Sequence, residues 1–110
     1  MHKNRSRGIL GVPEYPLPEV RKLIEQGRII IQPNARNDAL NDFGWDAVDV
    51  AQALKKLKEV DFFKRDVSEK NAWLVWDFYK AVGLCGENVY THFYIDRDEN
   101  ILVINSFKRI

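Results

Sequence analysis

The sequence predicts an α+β fold in which an antiparallel meander carries helices packed on one face. Three observations support that class. Two stretches of the first half repeat apolar residues at spacings of three and four, the period of a helix with one buried side. The second half is dense in β-branched and aromatic residues, which favour strands. Its last two strand-like runs are linked by a short polar turn, as antiparallel neighbours are. The 110 residues suit one domain, 1–110. Six Phe, four Tyr and three Trp, within 45% apolar residues, supply the bulk of a core.

Residues 1–16 read as an irregular, basic N-terminal extension. Gly8, Gly11, Pro13 and Pro16 interrupt any period, and residues 1–8 hold Lys3, Arg5 and Arg7 without an acid. The segment PLPEVRKLIEQG (16–27) reads as a helix. Pro18 suits its first turn, Glu19 complements the positive end of the dipole, and Gly27 is a natural stop. Val20, Leu23 and Ile24 share its buried side. RIIIQP, closed by Pro33, reads as a short strand. Residues 34–45, rich in Asn, Asp and Gly, read as a loop.

DAVDVAQALKKLKEV (46–60) is the clearest helix. Asp46 is a good N-cap, and Asp49 three residues on resembles a capping box. Ala47, Val50, Ala51, Leu54 and Leu57 form its apolar stripe, and Lys55, Lys56 and Lys58 lie toward its negative end. VDFFKRDVSEKN (60–71) reads as a connection. WLVWDFY (73–79), ENVYTHFYID (87–96) and NILVINSFK (100–108) read as strands, the last two joined at Arg97-Asp98-Glu99. Period two sends Val89, Thr91, Phe93 and Ile95 to one face, and Tyr90, His92 and Tyr94 to the other. Ile101 to Ile104 is apolar on both faces, as in a central strand.

Several function classes are excluded. No run approaches the ~18 apolar residues of a membrane helix, and the N-terminus lacks the apolar stretch of a secretory signal. The expected compartment is the cytoplasm. Cys85 is the single cysteine, so no internal disulfide forms. With only His2 and His92 beside it, no Cys/His zinc site is expected. Motifs for acyl transfer, zinc proteolysis and phosphate loops are missing. Net charge is +1, which alone does not point to nucleic acid.

A set of polar and aromatic residues remains in the strand-rich half: Lys64, Trp76, Tyr79, Tyr90, His92, Tyr94 and Lys108. Rings that stack on bases, cations that hold phosphates and a His that handles protons are the equipment of an RNA surface. The other reading packs the two Tyr rings against a helix and leaves Lys64 and Lys108 as surface charges, Lys64 paired with Asp61 or Asp66.

At DFGWDAVDVAQALKKLKEVDFFK the chain resembles the MqsR family of bacterial toxin–antitoxin toxins. The anchors are Gly44, Asp46 and Leu57, then Asp61-Phe62-x-Lys64, Trp76 to Tyr79, Asn88-Val89-Tyr90, and Ile104-x-Ser106-Phe107-Lys108. They cover about residues 17–108 in order and without large gaps. The resemblance implies a RelE-like compact domain with a twisted antiparallel sheet. It implies a metal-independent endoribonuclease, an mRNA interferase without cofactor, cutting at short GC-containing sequences and so arresting translation and growth. Lys64, Tyr90 and Lys108 match the family's site. The family's Gln falls on Trp76, which would stack on a base or lie in the core.

His92, on the face of Tyr90, is a further proton-transfer candidate. Arg65, Tyr94 and Arg109 are candidate RNA contacts, and Lys3, Arg5 and Arg7 an electrostatic arm. The implied partners are mRNA and a cognate antitoxin, zinc-containing and DNA-binding, through which alone DNA would be met; no membrane is implied. The Gln-to-Trp76 departure favours the alternative, a non-catalytic RNA- or protein-binding module of the same fold.

Overall fold

The computed structural model describes residues 12–110. The proposed arm of Lys3, Arg5 and Arg7 lies outside the described residues. The elements are α1 (Leu17–Glu25), β1 (Ile29–Ile31), α2 (Pro33–Phe43), α3 (Ala47–Leu54), a 3₁₀ turn (Glu59–Asp61), β2 (Phe62–Val67), β3 (Val75–Leu84), β4 (Glu87–Asp96) and β5 (Ile101–Arg109). The five strands form one sheet in the order β1-β5-β4-β3-β2. β2 to β5 are an antiparallel meander, while β1 pairs with β5 in parallel, Ile29 opposite Leu102 and Ile31 opposite Ile104. The sheet is therefore mixed and not purely antiparallel. A parallel edge needs a long crossover, and the connection from β1 to β5 supplies it.

The helix caps follow the sequence closely. The Asp46 carboxylate accepts the Asp49 N–H at 2.9 Å, and the Asp49 carboxylate accepts the Asp46 N–H at 3.2 Å. Gly27 closes α1 at φ +73°, a region where a Cβ is strained. Leu17, Val20, Leu23 and Ile24 of α1 are buried, as are Val50, Ala53 and Leu54 of α3. They join Tyr79, Ala81, Val89, Phe93, Ile95, Leu102, Ile104 and Phe107 of the sheet in one core.

Several stretches depart from the reading of the sequence. The helix read over 46–60 stops at Leu54, so Lys55, Lys56, Leu57 and Lys58 lie beyond it and Glu59–Asp61 is a 3₁₀ turn. Residues 34–45 were expected as a loop, yet Pro33–Phe43 is helical. Pro33 occupies the first turn, where its missing N–H costs nothing, and Gly44 ends the helix at φ +73°. Ala35 and Ala39, four residues apart, are wholly buried. The Asn34 amide donates to the Asn105 carbonyl at 3.0 Å, and Asp42 accepts the Arg109 N–H at 2.9 Å. Tertiary packing against β5 thus overrides the weak helix preference of Asn and Asp. Residues 62–67, expected as part of a connection, are edge strand β2, paired with β3.

Strand β3 is also displaced relative to WLVWDFY: it starts at Val75, runs on to Leu84, and leaves Trp73 exposed in the preceding loop. Residues 12–16 form neither helix nor strand, but their end is fastened. The buried Asp77 carboxylate accepts the N–H of Glu14 at 2.9 Å and that of Tyr15 at 2.8 Å. The Tyr15 hydroxyl donates to the Val75 carbonyl at 2.7 Å.

Candidate functional site

Alternation along β3, β4 and β5 divides the sheet chemically. One side holds the core residues. The other carries Trp76, Phe78 and Lys80 of β3, Tyr90, His92 and Tyr94 of β4, and Lys108 of β5, all half-buried or exposed. Register aligns them in rows. Lys80, Tyr90 and Lys108 are direct cross-strand partners. Lys64, Phe78, His92 and Ser106 form the next row. Side chains opposite one another in such pairs lie within contact distance.

Lys64, Tyr90 and Lys108 therefore share one face. Lys64 stands on strand β2 and not on a loop, its Nζ 4.9 Å from the centre of the Phe78 ring. It also pairs with Asp66 at 3.6 Å. The Lys108 ammonium lies 5.6 Å from the centre of the Tyr90 ring. Cations near ring faces gain from the ring quadrupole while keeping their charge available.

His92 occupies the middle of the face. Its Nδ1 lies 3.0 Å from the Tyr90 hydroxyl and its Nε2 3.2 Å from the Asn105 amide nitrogen. Burial, and then the Lys108 charge, pushes His92 down to about 4, so the ring is neutral at pH 7. With the amide nitrogen donating to Nε2, the ring proton sits on Nδ1 and is donated to the Tyr90 oxygen. The Tyr90 hydrogen is then free for another acceptor. Burial raises the Tyr90 hydroxyl above its ordinary value, which keeps it protonated. A register shift between His92 and Phe93 marks a bulge at Asn105 in β5, and the bulge presents Asn105 to His92.

Trp76, which the resemblance aligns with the family's Gln, lies on this open face and not in the core. Its ring meets His92 edge-on at 5.3 Å and Tyr94 at 5.1 Å. Tyr94, a candidate RNA contact, therefore shares the face. Arg65 and Arg109 do not. Arg65 follows Lys64 in the strand, points the other way, and pairs with Glu14 at 3.0 Å. Arg109 pairs with Glu87 at 3.1 Å and also donates to the Asp42 carbonyl. Tyr79 is wholly buried, stacked on Phe93 at 5.4 Å, which removes it from the polar set.

The sequence reading missed Phe78, Lys80 and Asn105. Carrying period two through Trp76 to residue 80 would have found Phe78 and Lys80. The Asn105 bulge left no local signal. Among the described residues, no three His, Cys, Asp or Glu side chains gather as a metal site.

The arrangement can bind a single-stranded polyanion across rings and cations, and can direct a hydroxyl and an ammonium at one phosphate. Comparison with known proteins bears on its identity. No curated protein matches the chain significantly. A family model described as "Motility quorum-sensing regulator, toxin of MqsA" matches residues 12–109. That span takes in every element from α1 to β5, and the chain belongs to this MqsR family of toxins.

Proposed function

We propose that this toxin is an endoribonuclease that cleaves mRNA at short GC-containing sequences and is restrained by an antitoxin. The observation that carries the reading is the cross-strand pair of Tyr90 and Lys108 beside a neutral His92. In cleavage by the ribose 2′-hydroxyl, the 2′-oxygen loses its proton to solvent and bonds to phosphorus, and the bond from phosphorus to the 5′-oxygen breaks. Negative charge builds on the phosphorane, and the departing 5′-oxygen takes up a proton. Lys108 offsets the first, with Lys64 assisting from β2. The Tyr90 hydroxyl, still protonated at neutral pH, faces the second. His92 holds Tyr90 by its ring nitrogen and, being neutral, donates no net charge. Trp76 and Tyr94 offer edges and faces on which flanking bases stack.

The antitoxin is expected to keep the toxin inactive, and its own zinc-bound domain to hold the metal and meet the operator DNA. The family description, a toxin of MqsA, supports a protein partner. Trp76 in place of Gln favours a second reading, a binding module that holds RNA without cutting. Incubation of the purified chain with a GC-containing RNA separates the two. The expected result is cleavage at discrete sites by the parent. Lys108→Ala, folded by circular dichroism, should lose about 10²–10³ in rate. Intact RNA bound by the parent would favour the binding module.

A further inference from the structure

We propose that Lys80 is a further phosphate-holding residue of this face, bracketing with Lys108 the phosphate that lies over Tyr90. The inference rests on the RNA reading of the face and adds to it a residue outside the family-derived set of Lys64, Tyr90 and Lys108.

Lys80 is the direct partner of Tyr90 on β3, as Lys108 is on β5. The two lysines therefore flank one ring from both sides. Adjacent strands are about 4.8 Å apart, so the lysine backbones stand about 10 Å from each other, with the Tyr90 ring between them. Lysine stems are long enough to close on an anion over that ring from both sides. Lys64 belongs to the neighbouring row, opposite Phe78, and reaches the same spot only diagonally.

Among the described residues, the ion pairs include Lys64 with Asp66 at 3.6 Å, but none engages Lys80 or Lys108. Lys80 and Lys108 thus bring two exposed lysines without a carboxylate partner to the strand positions on either side of Tyr90, and an anion over that ring is attracted by both. Lys64 already has a partial counter-ion. The pair best suited to a phosphate is thus Lys80 and Lys108.

The Lys80 ammonium rests 4.2 Å from the centre of the Phe63 ring, whose residue is exposed on edge strand β2. Lys64 and Lys108 likewise stand near rings, Phe78 and Tyr90. Each lysine of the face has an aromatic neighbour that keeps its ammonium at the sheet surface with the charge exposed. From its place beside Phe63 on β2, the flexible Lys80 stem swings across β3 to meet an anion held over Tyr90. A strand position occupied only for solubility would need no such support.

The test separates charge from packing. Lys80→Met keeps an unbranched stem over Phe63 and removes the charge, whereas Lys80→Arg keeps the charge. Lys22→Met, on the exposed side of α1, is the control. The probe is a GC-containing single-stranded RNA, 2′-O-methylated so that it cannot be cut, titrated by anisotropy at several salt concentrations. Lys80→Met is expected to weaken binding about three- to tenfold and to lower the salt slope by about 0.7. Lys80→Arg and Lys22→Met should match the parent in both.

Parent-like affinity and slope in Lys80→Met would overturn the proposal. So would an equal loss in Lys80→Arg, which would assign Lys80 to packing. Cleavage of the unmodified RNA is read separately. A parent that binds but does not cut, with Lys80→Met weakened, retires the nuclease reading and leaves Lys80 standing. A parent that cuts, with Lys80→Met unchanged in binding, retires Lys80 alone. A parent that binds no RNA overturns both.

Discussion

The Tyr90 hydroxyl and the His92 imidazole, two residues apart on one face of β4, are joined by a 3.0 Å hydrogen bond. The bond matters because its two members are tuned in opposite senses. Burial makes Tyr90 harder to deprotonate and His92 harder to protonate. The pair is therefore uncharged at neutral pH, and any charge it meets must come from the lysines around it or from substrate.

Tyr90→Phe removes the hydroxyl and keeps the ring beside Lys108. If Tyr90 supplies the proton at the 5′-oxygen, cleavage should fall by about 10²–10⁴ with RNA affinity nearly unchanged. Single-turnover rates on a GC-containing RNA, with binding to the 2′-O-methylated form, check both halves. Activity within about twofold of the parent would remove Tyr90 from the chemistry.

His92 makes a prediction about pH. Its folded value, about 4, is below the ordinary value of about 6.5. The unfolded chain therefore takes up a proton first as pH falls. The contribution of neutral His92 to stability is complete above about 6.5 and is lost progressively toward 4. Relative to His92→Gln, which has no such titration, the parent should lose stability on acidification across that window. Urea midpoints of both proteins from pH 7 to pH 4 give the comparison. A constant difference would mean that His92 titrates normally.

Tyr79 carries a buried hydroxyl without a hydrogen-bond partner among the described residues. Burial keeps it protonated far above the ordinary tyrosine range. Tyr79→Phe removes the unsatisfied oxygen and keeps the ring stacked on Phe93. Stability should rise by up to about 1 kcal/mol. Thermal unfolding measures it, and a loss of similar size would reveal a partner for the hydroxyl.

Asp77 fastens the entrance to α1. Burial lifts its carboxyl to about 6, opposed by the N–H groups of Glu14 and Tyr15, which favour the charged form. Asp77→Ala leaves both donors unpaired and should cost about 1–3 kcal/mol for each left buried and unsatisfied. Asp77→Asn keeps the shape and one acceptor, so its loss should be smaller. Chemical denaturation of the three proteins tests the order. Equal stability of Asp77→Ala and the parent would show that the segment before α1 adds nothing.

Much of this protein was legible in its sequence because the signals were local. The Asp46–Asp49 capping box, the stop at Gly27 and the 3.6-residue stripes of α1 and α3 depend on neighbours a few positions away. The alternation in β4 likewise separated Val89, Thr91, Phe93 and Ile95 from Tyr90, His92 and Tyr94 before any partner strand was known. The apolar run from Ile101 to Ile104 announced a central strand, and β5 lies between β1 and β4.

What only the tertiary structure decided involves distant residues. α2 has few local reasons to be helical and is held by β5 through Asn34 and Asp42, across 71 and 67 residues. The parallel pairing of β1 depends on a partner 73 residues ahead, a register that no local period encodes. Lys80 joined the candidate site because β3 runs past Tyr79 and sets it opposite Tyr90, whereas Arg65 and Arg109 left it because strand alternation turned them toward Glu14 and Glu87. Asn105 reached His92 through a bulge created by a mismatch between two strands. Alternation and capping are properties of a segment, but register, bulges and ion pairs exist only between segments, so the chain had to fold before they could be assigned.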